Sequence, residues 1–111
     1  MIEKTILDYL NQQMTVPVYM ERPASPPSKY ILLEKTGSSK QNHIYGATLA
    51  VQSYAPSLYE AAVLNEDAKA KLENAVTLEG VCRVSLNSDY NFTDAATKQY
   101  RYQAVFDITH Y

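Results

Sequence analysis

The stretch YGATLAVQSYAPSLYEAAVLNEDAKAKLENAV, residues 45–76, changes its hydrophobic period once, at Pro56. Before the proline the period is two. Tyr45, Ala47, Leu49, Val51 and Ser53 share one face, and Ile44, Gly46, Thr48, Ala50, Gln52 and Tyr54 share the other. Such alternation predicts a strand from His43 to Tyr54 with the first set facing the core. Gly46 inside it marks a bulge or a close backbone approach. After the proline the period lengthens. Ser57-Leu58-Tyr59-Glu60 has the spacing of a capping box, in which the Ser hydroxyl and the Glu carboxylate satisfy free amides of the first turn. Ala61, Leu64, Ala68, Leu72, Ala75 and Val76 then recur at steps of three and four, with Asn65, Glu66, Asp67, Lys69 and Glu73 on the other side. This is an amphipathic helix whose alanine-rich stripe permits close approach to a sheet. Asp67 and Lys71 form an i, i+4 pair worth some tenths of a kcal/mol. Gly80 ends the region.

Upstream, Ile2, Ile6, Tyr9 and Leu10 make one helical stripe, so residues 2–13 read as a helix stopped by Pro17. A short extended piece, Val18 to Met20, precedes Arg22-Pro23-Ala24-Ser25-Pro26-Pro27-Ser28. That segment excludes helix and central strand and reads as an ordered loop or stiff polyproline II piece. Tyr30 to Lys35 is a strand, and Gly37 to Asn42 a polar turn, giving a hairpin with a mobile tip. Downstream, Val81 to Leu86 alternates with Cys82, Val84 and Leu86 inward. Asn87-Ser88-Asp89 breaks or bulges that strand, Tyr90-Asn91-Phe92 continues it, and Thr93 to Thr97 turns. The last strand, Tyr100 to His110, carries Tyr102, Ala104, Phe106 and Ile108 as its apolar row, with Arg101, Gln103, Asp107 and Thr109 opposite. The expected fold is a single α+β domain over residues 1–111. A mainly antiparallel sheet of four to five strands carries two helices on one face, in the order α-β-β-β-α-β-β, with the other face partly open.

Composition narrows the function classes. Ten Lys and Arg oppose twelve Asp and Glu, and no two basic residues are adjacent, which argues against a nucleic-acid coat or sequence-specific nucleic-acid reader. Tyr100-Arg101-Tyr102 and Tyr90-Asn91-Phe92 resemble a base-stacking platform, but the first pair shares its face with Phe106 and Ile108. One cysteine excludes an internal disulfide and any cysteine-based zinc site. No segment nears the roughly 18 apolar residues of a membrane span, and the N-terminus lacks the pattern of a signal peptide. A soluble chain made in the cytoplasm is expected.

Catalytic templates find no match. His43 and His110 sit at strand ends with no carboxylate or cysteine at ligand spacing. Cys82 on an apolar row reads as a small buried hydrophobe rather than a nucleophile. Three isolated glycines make no phosphate loop, and Glu66-Asp67 lies on a solvated helix face. Glu34 and Asp107 are the remaining carboxylates that could meet across a sheet, and the sequence does not place them. The expectation is no enzyme, no cofactor and no metal.

The 45–76 stretch resembles the centre of the small tail-completion proteins of long-tailed bacteriophages. There a strand ending in a polar-aromatic pair, here Gln52-Ser53-Tyr54, runs straight into a capped Ala- and Leu-rich helix. ILDYLNQQMTVPVYMERP, residues 6–23, is similar to that family's opening helix, short strand and proline loop. YRYQAVFDITHY, residues 100–111, is similar to its last strand. The resemblance implies an α/β fold with helices on a sheet, and a non-enzymatic tail terminator or head-tail joining subunit. It implies self-association into a ring, commonly of six, that caps the tail tube protein and meets the head connector proteins. It also implies a place in the host cytoplasm during assembly and in the virion afterwards. By the same analogy Lys40, Gln41 and Asn42 in one loop and Pro26 and Pro27 in the other are the candidate partner contacts. A cellular α+β module that holds a small ligand against its sheet is the alternative, and a small hydrolase or isomerase using His43 or His110 is the third. Ten tyrosines suit an interface as well as a core margin. Tyr9, Tyr45 and Tyr102 fall on faces expected to be core, leaving Tyr19, Tyr54, Tyr59, Tyr90 and Tyr111 as contact candidates.

Overall fold

The computed structural model describes all 111 residues, Met1–Tyr111. Helix α1 spans Ile2–Gln13, and α2 spans Leu58–Glu73 and runs on into a 3-10 turn, Asn74–Thr77. The strands are β1 Val18–Tyr19, β2 Tyr30–Gln41, β3 Ile44–Tyr54, β4 Val81–Asn91 and β5 Arg101–His110. They form one sheet in the order β1-β2-β3-β5-β4. Only β1 runs parallel to its neighbour, and the other three pairings are antiparallel. This is an α+β fold in the element order expected from the sequence.

The helices cover one face. Ile2, Ile6 and Leu10 of α1 and Leu64, Ala68 and Leu72 of α2 join Leu33, Leu49, Val51, Phe106 and Ile108 of the sheet in one apolar core. Each large side chain fully buried there contributes about 1.5–3 kcal/mol. Two polar side chains tie the helical layer together. Tyr9 donates to the Lys71 carbonyl at 2.7 Å, joining α1 to the last turn of α2. Asn11 accepts from the Val18 amide at 3.0 Å and donates to its carbonyl at 3.1 Å, fastening β1 to α1. At the start of α2 the Ser57 hydroxyl accepts from the Glu60 amide at 3.2 Å and donates to the Glu60 carboxylate at 3.0 Å. Both capping-box partners are thus engaged, with the carboxylate on the Ser hydroxyl rather than on the cap amide.

Several expectations need correction. The polar segment Gly37–Asn42 is not a turn. Gly37 to Gln41 continues β2 and pairs with Ile44 to Thr48. Serine, lysine and glutamine carry no apolar signal, yet the ladder of the partner strand holds them extended. The turn is only Asn42-His43, both left-handed at φ 51° and 67°, which is the pattern of a two-residue hairpin turn.

Cys82 is exposed rather than buried. The register of β4 against β5 skips it, from Val81 opposite His110 to Arg83 opposite Thr109. A bulge there removes Cys82 from the alternation that placed it inward. Leu86 does sit opposite buried Phe106, but β4 is the outer strand and Leu86 stays 39% exposed.

Asn65, read as solvated, is 1% exposed, whereas Val76, read as inward, lies exposed in the 3-10 turn. A second bulge at Asn87 resets the alternation of β4 and places Asp89 opposite buried Ala104. The Asp89 carboxylate therefore points toward α2, where it accepts from Asn65 Nδ2 at 3.1 Å and from Lys69 Nζ at 2.8 Å.

Among the tyrosines, Tyr45, read as core, is 38% exposed and lies against His110. Tyr54, read as a contact residue, is 5% exposed and stacks on Tyr30.

Candidate functional site

The two candidate loops lie at opposite ends of the molecule. Tyr30 pairs with Tyr54 at one end of the hairpin and Gln41 with Ile44 at the other. Eleven residues of strand separate them by about 36 Å, in a molecule 44 Å long. Lys40, Gln41 and Asn42 are therefore never brought together with Pro26 and Pro27. At the tip all three are exposed. The Lys40 ammonium lies 5.4 Å from the Tyr45 ring centre, and Tyr45 stacks on His110 at 5.5 Å. These contacts order the tip without burying it.

The other end holds a cleft of about 480 Å³ between the proline loop and the segment before β5. Its lining includes Pro26 and Pro27 of the proline loop, Tyr54 and Pro56 from the end of β3 and the start of the next segment, and Lys98 and Tyr100 from the segment before β5. Its charged lining is Arg22 and Lys98, with no carboxylate. Lys98 is held in the left-handed region at φ 55°, unusual for a residue with a Cβ. The turn that carries it is fixed by Asp94. Its carboxylate accepts from the Ala96 amide at 3.0 Å, and that bond holds the carboxyl below its ordinary pKa.

Beneath the cleft, Tyr30 and Tyr54 stack in parallel at 4.6 Å. Arg101 lies behind them, 4.4 Å from the Phe92 ring centre and 5.7 Å from that of Tyr54. From Arg101 a polar ladder crosses the face of the sheet that carries no helix. Arg101 donates to the Tyr54 hydroxyl at 2.8 Å, and Tyr54 donates to Gln52 at 3.0 Å. Gln52 donates to Gln103 at 2.8 Å, and Gln103 donates to Tyr90 at 2.6 Å. Tyr30 takes no part. Its hydroxyl is buried without a hydrogen-bond partner. Burial pushes its pKa up, against the pull of the nearby Arg22 and Arg101 charges.

The cations divide by position. Lys4, Lys29, Lys35, Lys69 and Lys71 each pair with a carboxylate. The remaining five cations, Arg22, Lys40, Arg83, Lys98 and Arg101, are in none of these pairs. Three of these five gather at the Tyr30 end. Sequence reasoning named the prolines of this end but missed Arg22, Lys98 and Tyr30. The spacing between residues 22, 54 and 98 carries no signal. Only the strand register brings them together.

The other chemical candidates stay apart. His43 sits in the hairpin turn, His110 against Tyr45, and Cys82 at its bulge. Glu34 lies opposite Ala50, whereas Asp107 lies opposite Thr48, from which it accepts at 3.0 Å. No helix is long and apolar enough to cross a membrane. Compared with models of protein families the chain matches none, and no curated protein sequence matches it.

Proposed function

We propose that this chain is a non-enzymatic assembly subunit of a long-tailed bacteriophage. In this role it is a tail terminator or head-tail joining protein that caps the tail tube and meets the head connector as a ring. The observation that carries this reading is the half-covered sheet. One face is sealed by two helices, and the other is left bare yet ordered by the ladder from Arg101 to Tyr90. A face that is rigid, amphipathic and uncovered suits contact with other protein subunits. The direct passage from Tyr54 into the capped helix α2 supports the same reading. A ring requires head-to-tail contacts that close by rotation, and the two ends of this molecule, an exposed tip and a cleft, differ enough to serve as such unlike partners.

The test is electron microscopy and sedimentation of the purified protein, alone and with purified tail tubes. Rings, or caps on tube ends, are the expected result. A protein that stays monomeric and ignores tubes, together with normal joining of heads to tails after deletion of its gene, would sink the proposal. Neighbouring genes offer a quick second check, since a terminator gene normally sits just before that of the major tail protein. The cleft favours a second reading, a small-ligand-binding module. A small molecule retained in native mass spectrometry of the purified chain would support that one instead.

A further inference from the structure

We propose that the cleft at the Tyr30 end is a binding site for a carboxylate carried on a polypeptide segment. Three observations converge on it. First, its charged lining is entirely cationic, Arg22 and Lys98, and neither has a carboxylate partner within the chain. Every lysine of the helical layer has one, whereas three of the five cations outside these pairs, Arg22, Lys98 and Arg101, gather at this end. A guanidinium forks onto both oxygens of a carboxylate, and an ammonium adds a point charge beside it. Second, Tyr30 lines the same cleft and is 3% exposed, with its hydroxyl unpartnered. A buried donor with nothing to bond is costly, and an acceptor in the cleft would relieve it once this wall shifts to expose the hydroxyl. Third, the remaining lining includes Pro26, Pro27, Pro56 and Tyr100 beside small polar groups such as Ser28 and Thr97. Proline and tyrosine give rigid, amphipathic surface that loses little entropy on contact, which suits a polypeptide better than a free inorganic anion.

The left-handed Lys98 fits this assignment. Backbone held in a sparsely populated region tends to occur at ligand clamps, and here it fixes the residue that carries one of the two charges. The cleft belongs to the single chain, so its ligand binding stands or falls separately from ring assembly.

The test is an NMR titration of the isotopically labelled full chain with three probes. These are a blocked alanine peptide with one central glutamate, the same peptide with central glutamine, and inorganic phosphate. Saturable shifts at the amides of Arg22, Lys98 and Tyr100 are expected with the glutamate peptide, which should bind about tenfold more tightly than the glutamine peptide. Arg22→Ala and Lys98→Ala should each weaken it about tenfold while leaving melting unchanged. Tyr30→Phe separates binding from folding. It should raise the melting temperature, because an unpartnered hydroxyl is removed, and should weaken the glutamate peptide severalfold. Equal binding of the two peptides, tighter binding of phosphate than of the glutamate peptide, or full binding by Arg22→Ala would each overturn the proposal.

Discussion

The two faces of the sheet follow opposite rules of construction. The helix-covered face is filled by shape. Leu49, Val51, Phe106 and Ile108 are fully buried and make no polar contact. The bare face is filled by direction, through side chains that each answer a specific neighbour, from Arg101 to Tyr90. Between them, adjacent residues of one strand live under different physics. Gln103 and Ala104 are consecutive and both buried, one within a hydrogen-bond ladder and the other within a hydrocarbon core. Apolar packing specifies volume, whereas a ladder specifies orientation. The bare face is therefore ordered without being greasy.

Substitutions test that contrast. Phe106→Ala should lower stability by about 3–5 kcal/mol, the cost of a large cavity, measured by denaturant unfolding. Wild-type-like unfolding would show that the helical layer does not seal this face. Gln103→Ala removes two ladder bonds that water can partly replace, so a loss of about 1–2 kcal/mol is expected. A loss as large as that of Phe106→Ala would erase the distinction between the faces. Ser53 is the odd member of the covered face, fully buried with its hydroxyl unpartnered. Ser53→Ala should raise stability by about 1 kcal/mol, and a decrease would mean that a bound water completes the site.

A smaller effect concerns the polar graft at the margin of the covered face. Lys69, through its hydrogen bond to Asp89, holds the Asp89 carboxyl below its ordinary range. Asp89 thus binds its proton less tightly folded than unfolded. Its contribution is present above the unfolded value near 4 and disappears as pH falls through the lower folded value. Asp89→Asn should flatten the acid limb of a stability-pH curve, by about 1 kcal/mol or less for a pair at the margin of solvent. An unchanged acid limb would show that the pair is not formed in solution. Least of all, Lys40→Ala at the exposed tip should change stability by no more than about 0.5 kcal/mol. Loss of assembly with folding intact would mark the tip as a contact.

Most of this architecture was legible in the sequence because its central strands and both helices keep their periods. Residues 45–54 alternate in the structure as they do in the sequence, and α1 has the extent that Ile2, Ile6 and Leu10 imply. Reading failed where pairing rather than pattern decides. Gly37–Gln41 became strand because β3 supplies a partner. Cys82 changed sides because a bulge shifts β4 against β5, whereas the second irregularity, at Asn87, falls where Asn87-Ser88-Asp89 reads as a break or bulge. Asn65, on the side of α2 read as solvated, is buried and donates to Asp89 across from it. The cleft was hidden for the same reason. Its tyrosine lining depends on the register of Tyr30 against Tyr54, and its charges come from loops about 75 residues apart in a chain whose composition says nothing of which loops meet.

The ladder on the bare face has one further property. Arginine has no acceptor, so the first bond can run only outward from Arg101. The Tyr54 oxygen, once occupied, commits its own proton to the carbonyl end of Gln52. That choice turns the amide of Gln52 toward the carbonyl of Gln103, and the amide of Gln103 toward the oxygen of Tyr90. The orientations fall like a row of dominoes, and none reverses unless all do. At the far end the Tyr90 oxygen is already taken, so its proton is what faces outward. A guanidinium four bonds away has thereby decided that whatever settles on Tyr90 must arrive as an acceptor.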